Sequence, residues 1–255
     1  MVKSADRTLE ILEALADTPH RPGLSELAQQ LGIPKSSLHA ILRTMAARGW
    51  VDASDDGLHF GLGLRALRAG LAYIEGDDTV TMMGPLLDDL AHEFGETVHM
   101  GRLDAADIVY LAKRDSVHPL RLFSAVGRRL PAHATALGKA LLARRSAAEV
   151  DRIIGPSPRR LTANTIVGRT ALRTDLAATR ERGFAIDREE NSEGVVCLAV
   201  ALPLATDDAV SISVPTTRLD TALERRLADS LTRLVDVVRG RRLLISTSSG
   251  PAQFA

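Results

Sequence analysis

The chain reads as an α+β protein whose elements come in two unlike blocks. Three observations predict this. Residues 7 to 48 carry apolar side chains at helical spacing, broken by Gly32 and Pro34. Residues 50 to 60 switch to a strand, turn, strand pattern around Asp56-Gly57, and beyond residue 79 helical stretches interleave with two groups of strands. The expected organisation is a winged helix-turn-helix over residues 1–61, a linker helix over 62–78, a sheet domain with helices over 79–242, and a disordered Ser-rich tail over 243–255.

Leu9, Ile11, Leu12 and Leu15 form the stripe of a first helix, Arg7 to Ala16, with Glu10 and Glu13 opposite and Pro19 near its end. Ser25 is placed as the N-cap of a second helix with Glu26 in its first turn. Leu27, Ala28 and Leu31 are its apolar side and Gly32 its stop. Pro34 opens a third helix with Leu38, Ile41, Leu42 and Met45 inward. Trp50 to Ala53 and Leu58 to Phe60 then make a hairpin, the wing. In the next segment Leu64, Leu67, Leu71 and Ile74 fall on one narrow line with Arg65 and Arg68 outside it, which suits pairing with a second helix; packing on its own domain is the alternative.

In the second block the patterns predict helices over Val80–Phe94, Ala136–Ala143, Ala147–Ile153, Ala171–Arg182 and Leu219–Arg239. Strands are predicted over Thr97–Leu103, Ile108–Lys113, Leu120–Ala125, Phe184–Asp187, Val196–Leu204 and Val210–Val214. Ser211 and Ser213 alternate with Val210, Ile212 and Val214, so by themselves they read as the wet face of a sheet.

Composition bounds the function. With 32 basic and 32 acidic residues the chain carries no net charge, which excludes a general coat for nucleic acid or anionic membrane. DNA binding has to come from a local patch, and Lys35, Arg43 and Arg48 form one, free of acids between Glu26 and Asp52. No leader and no membrane-spanning run is recognised, so a cytoplasmic, non-membrane protein is expected. A single cysteine, Cys197, excludes an internal disulfide and a Cys-cluster metal site, and no metal or other cofactor is expected.

On the third helix Ser36, His39, Ala40 and Arg43 fall opposite the apolar stripe, with Lys35 and Ser37 near its start. Small and basic residues there permit close approach to the major groove, with backbone N–H groups and hydroxyls meeting phosphates and Arg43 or His39 reaching base edges. One such head makes few phosphate contacts, so a homo-oligomer reading a palindromic double-stranded operator is expected.

Four ordered stretches, LSELAQQLGIPKSSLHAILRTM (24–45), LHFGLG (58–63), VGRRLPAHATALGKALLA (126–143) and RGFAIDREENSEGVVCLAVAL (182–202), make the chain resemble the IclR family of bacterial transcriptional regulators over nearly its whole length. The resemblance implies a winged helix-turn-helix, a linker helix and a GAF-like antiparallel sheet domain that binds an effector, assembled as a dimer or tetramer and acting as a repressor. It places Ala136, Leu137, Asp187, Cys197, Ser211 and Ser213 around the effector pocket. Such a set offers N–H and hydroxyl donors beside one carboxylate, which fits a small organic acid with a second polar group. Two positions depart from the family pattern: Ala40 stands where relatives usually carry arginine, and Ala201 where proline is common. His99, His133, Tyr110 and Arg121 rank below the six as pocket residues, and Arg128 and Arg129, before Pro131, read as surface, with an anion contact as the alternative.

The enzyme alternative is a hydrolase using Cys197, His133 and Asp187, the residue types of a nucleophilic triad. Its local sequence is unfavourable, because Val195-Val196-Cys197-Leu198 reads as mid-strand without the sharp glycine-flanked turn that exposes a nucleophile. No catalytic residue is therefore assigned. A DNA-independent adaptor is the third class, separable by salt-dependent DNA binding.

Overall fold

The computed structural model describes residues 2–119 and 124–248, with 242–248 as backbone only. The chain divides into two compact units at Asp77/Asp78.

In the first unit α1 (Lys3–Asp17), α2 (Leu24–Leu31) and α3 (Lys35–Ala47) precede β1 (Val51–Ala53), β2 (Phe60–Leu62) and α4 (Leu64–Glu75). Ile11, Leu15, Leu27, Leu38, Leu42, Met45, Val51 and Phe60 form one apolar core between the helices and the hairpin. Gly32 ends α2 in the left-handed region at φ 63, which releases the chain into the tight turn before α3.

Details differ from expectation. Leu9 is exposed, and Leu12 and Ile41 only flank the core. Gly23, not Ser25, is the N-cap of α2, because an antiparallel bridge to His59 holds Gly23 extended and the helix starts directly after it. The β1–β2 connection is a six-residue loop, Ser54–His59, closed by Ser54 and Asp56 side chains rather than a two-residue turn. No residue of α4 is buried, and Leu64, Leu67 and Leu71 stand 78%, 58% and 50% exposed.

The second unit starts with α5 (Asp78–Phe94). Its sheet has the order β5-β4-β3-β8-β7-β6, antiparallel throughout, from β3 (Thr97–Asp104), β4 (Asp107–Arg114), β5 (Arg129–Pro131), β6 (Ala185–Arg188), β7 (Val195–Ala201) and β8 (Asp208–Pro215). α6 (Ala136–Leu142) follows a single 3-10 turn, then come α7 (Ala147–Ile154), α8 (Arg169–Arg182) and α9 (Thr221–Ser248). α6, α7 and α8 share a core with Ile108, Tyr110, Ala185, Ala199 and Ala209 of the sheet. α5 packs on β3 and β4, and α9 on β7 and β8. Small residues on the α6 face let that helix lie close. A Cβ at Gly138 would stand 2.1 Å from the Ala132 carbonyl oxygen, so only glycine fits there.

Three expectations for this unit are corrected. Ser211 and Ser213 are each 3% exposed, because alternation turns them to the covered Ala199/Ala209 side of a sheet whose two faces are both packed. The strand expected over Leu120–Ala125 falls largely outside the described residues, and Ser124 and Ala125 are in no strand. The edge strand is instead β5, too short and Pro-ended to leave a periodic signal. α9 continues to Ser248, past the Leu243 where the tail was expected to begin; 249–255 lie outside the described residues.

Candidate functional site

Two surfaces carry the chemistry, one in each unit. On α3, Leu38, Leu42 and Met45 are buried while Lys35, Ser36, His39, Ala40 and Arg43 are exposed and Ser37 is half-buried. The helix is thus divided lengthwise into a core side and an open, cation-bearing side. Among the described residues Lys35, His39 and Arg43 form no ion pair, so their charges and donors are available to an external anion. Arg48 is likewise exposed, just past the helix end.

The hairpin loop has a different character. Asp56 Oδ1 accepts from the Leu58 N–H at 2.9 Å and from Ser54 Oγ at 2.5 Å, bonds that hold its carboxyl below its usual range, and Asp52 and Asp55 are exposed nearby. Three carboxylates make this wing a poor phosphate ligand. The cations of α3, by contrast, face outward on one helix side.

In the second unit a small pocket of about 50 Å³ is lined by His99, Tyr110, Ser124, Arg128, Asp187, Asn191, Cys197 and Ser213, among others. Neighbouring strands supply most of it. Register places Asp187 beside Cys197 and Cys197 beside Ser213 across β6, β7 and β8, while β3 and β4 bring His99 and Tyr110. Cys197 Sγ donates to Ser213 Oγ at 3.1 Å. Ser213 Oγ lies 3.5 Å from His99 Nδ1, and His99 Nε2 lies 2.7 Å from Ser124 Oγ. The His99 ring stacks on Tyr110 with centroids 4.4 Å apart. Asp187 Oδ1 accepts from the N–H of Glu190 at 2.7 Å and of Asn191 at 3.4 Å, tying the pocket wall to β6.

Burial disfavours the charged forms of these groups. It drives the His99 imidazole down to about 3, with Lys113 contributing, and pushes the Tyr110 phenol and the Cys197 thiol up. Asp187 is raised to about 7, first by burial and then by the Glu190 carboxylate, against the hydrogen bond from the Glu190 N–H. The pocket therefore sets neutral His99, Tyr110, Cys197 and Ser213 groups and the partly protonated Asp187 carboxyl beside the Arg128 guanidinium, a set suited to a small anion.

Of the six residues expected around a pocket, Asp187, Cys197 and Ser213 line it, whereas Ala136, Leu137 and Ser211 do not. Ala136 and Leu137 belong to the apolar core beneath α6, and the free helix start is occupied, since Thr135 Oγ1 accepts from the Gly138 N–H at 3.0 Å. His99, Tyr110 and Arg128, ranked lower or read as surface, do line it. Their signal was three-dimensional, because β3 and β4 meet β8 only through long-range pairing. Arg129 is surface, paired with Asp104 at 2.5 Å and Asp107 at 3.3 Å. Arg121 lies outside the described residues. His133 does not line the pocket; its Nε2 lies 3.0 Å from the Arg159 carbonyl oxygen. The Cys197, His133, Asp187 set is thus not brought together. Among the described residues no His, Cys, Asp and Glu cluster is arranged to hold a metal ion, and no helix is long and apolar enough to cross a membrane.

Comparison with known proteins gives the same division. Residues 4–55 match the family model of the IclR helix-turn-helix domain, and residues 71–238 match that of the bacterial transcriptional regulator IclR C-terminal region. The chain is 33% identical over 228 residues to the HTH-type transcriptional regulator XynR of Escherichia coli (strain K12), covering 87% of this chain and 90% of that one. It is 34% identical over 227 residues to the transcriptional repressor IclR of the same organism, covering 86% and 82%. Among solved structures, an IclR homologue complexed with 4-hydroxybenzoate, from Microbacterium hydrocarbonoxydans, superposes with a TM-score of 0.72 at 19% identity, covering 92% of this chain and 99% of that one.

Proposed function

The chain belongs to the IclR family of DNA-binding transcriptional regulators, and from that premise we propose that it is a cytoplasmic repressor whose operator affinity is set by a small organic acid. Residues 1–61 are the reading head, 62–78 the linker and 79–242 the sensing domain. The observation that carries this reading is the lengthwise division of α3, with leucines sealed on one side and Lys35, Ser36, His39 and Arg43 open on the other. In the major groove Lys35, Ser36 and Ser37 meet phosphates while His39, Ala40 and Arg43 approach base edges.

The exposed line Leu64, Leu67 and Leu71 supports pairing of α4 with its counterpart in a second copy, since an apolar stripe without intramolecular cover stays in water only at a cost of about 25 cal/mol per Å². Two copies present two reading heads to a palindromic site.

For the effector, Asp187, Cys197 and Ser213 are retained, joined by His99, Tyr110, Arg128 and Asn191. Ala136, Leu137 and Ser211 act behind the pocket wall rather than on the ligand. The homologue carrying 4-hydroxybenzoate supports a carboxylate-bearing ligand of this type. The small, polar lining favours a small acid. A catalytic role for Cys197 is not part of this reading: burial holds its thiol protonated, and it donates to Ser213.

Fluorescence anisotropy of promoter DNA from upstream of the encoding gene, titrated with the full chain with and without organic acids, tests the proposal. Salt-dependent, sequence-selective binding that one acid weakens supports it. Equal affinity for promoter and random DNA overturns it.

A further inference from the structure

Asp187 differs from its neighbours in how it is satisfied. It is 3% exposed, yet among the described residues only Oδ1 accepts hydrogen bonds, both from backbone N–H groups of the loop that follows β6. Oδ2 is the oxygen left to the pocket. Behind it lies a group of acids short of cations. Lys139, fully buried on α6, has its Nζ 2.5 Å from Glu190 Oε1 and 3.0 Å from Asp175 Oδ2 of α8. The contact to Asp175 is at ion-pair distance but off hydrogen-bond geometry, and both Asp175 Oδ2 and Glu190 Oε2 are buried without a hydrogen-bond donor. Arg182 adds a longer contact of 3.9 Å to Asp175. The Lys139 ammonium is already committed to two carboxylates and gives Asp187 no hydrogen bond.

An incoming carboxylate therefore meets Asp187 in a pocket whose other polar groups are the His99 imidazole of β3, the Tyr110 phenol of β4, the Cys197 thiol of β7, the Ser213 hydroxyl of β8, the uncharged Ser124, Asn191 and Ser192 side chains, and Arg128. Arg128 can neutralise one negative charge. A second carboxylate in the same small space has only the attraction of Lys139, which is already bound by Glu190 and Asp175.

Building on the effector reading above, we infer that ligand binding is coupled to uptake of one proton by Asp187, so that the effector is held by a neutral carboxylic acid donating from Oδ2 to the ligand's carboxylate. The proton comes from solvent and returns to it on release, and no other bond forms or breaks. The elevated proton affinity of the buried carboxyl supports this, because near neutral pH half of the unliganded sites already carry the proton. Affinity for an anion is then flat below pH 7 and falls with rising pH above it, a loss of roughly tenfold between pH 6 and pH 8.

Calorimetry of the full chain with 3-hydroxypropanoate and with 4-hydroxybenzoate, in two buffers of different ionisation enthalpy from pH 6 to 8, tests the coupling. The result expected is uptake approaching one proton per site at pH 8, the tenfold loss of affinity, and neither in Asp187→Asn, whose amide keeps the Oδ1 acceptor. Carbon-13 NMR of the unliganded carboxyls, with the Asp187 signal identified by its absence from that variant, should show a midpoint near 7. Binding without proton uptake, uptake that persists in Asp187→Asn, or a midpoint in the ordinary carboxylate range overturns the inference while leaving the effector reading intact. Absence of binding by both acids at every pH overturns that reading and this inference with it.

Discussion

The two units are built by opposite rules. Among the described residues every buried polar or charged side chain lies at or beyond Glu96, and the first unit buries apolar side chains only. The first unit is an apolar core with a polar skin, and α3 displays exposed cations on it. The sensing unit seals Lys139, Asp187, Glu190, His99 and two serines inside, where their charge depends on surroundings and can change when a ligand arrives. A display surface tolerates substitution of the displayed residues without loss of fold, whereas a buried polar network does not.

The largest effect that separates the two follows from Lys139→Met. Removing the ammonium leaves Glu190 and Asp175 as uncompensated partly buried acids, and unfolding by denaturant should show a loss of about 3–5 kcal/mol, partly restored by adding Glu190→Gln. A loss below about 1 kcal/mol would break the contrast. In the reading head a comparable loss requires a core change. Leu42→Ala, at a fully buried position, should cost about 2–5 kcal/mol.

The third prediction concerns pH. Asp187 binds protons more tightly folded than unfolded, so it is a destabilising influence that grows as pH rises from about 4, where the unfolded group titrates, to about 7, and is constant above. The difference in stability between Asp187→Asn and the wild type should therefore increase over that window, by up to a few kcal/mol, and a thermal denaturation series shows it. A difference that shrinks with rising pH would contradict the environment assigned to Asp187. His99, held near 3 in the fold but ordinary when unfolded, makes both proteins more stable as pH rises through that window, so it cancels in the difference between them.

The smallest expected effect sharpens the display side. Ala40 is exposed on α3, so Ala40→Arg should leave the melting temperature unchanged while steepening the salt dependence of DNA binding by about one unit of slope per reading head. Lowered stability would show that position 40 is not purely displayed.

The division into head and sensing unit was legible because helical and alternating periods differ along the chain, and Gly32, Pro34 and Gly57 mark real turns. The exposed side of α3 was legible for the same reason, since a helix carries its two faces in its own spacing. The pocket was legible only in part. Asp187, Cys197 and Ser213 came from family resemblance, and their joint lining follows from antiparallel register. His99, Tyr110 and Arg128 reach it from β3, β4 and the approach to β5, and no local pattern announces such pairings. The covered state of Ser211 and Ser213 was misread because alternation tells which residues share a face but not whether that face meets water.

The central claim is that the open side of α3 reads DNA. It is tested most directly by measuring the salt dependence of promoter binding for the wild type and for the variant Lys35→Ala/His39→Ala/Arg43→Ala. The account predicts an unchanged fold by circular dichroism, a salt slope shallower by about two, and loss of preference for promoter over random DNA. Unchanged slope and preference in a folded variant would contradict it.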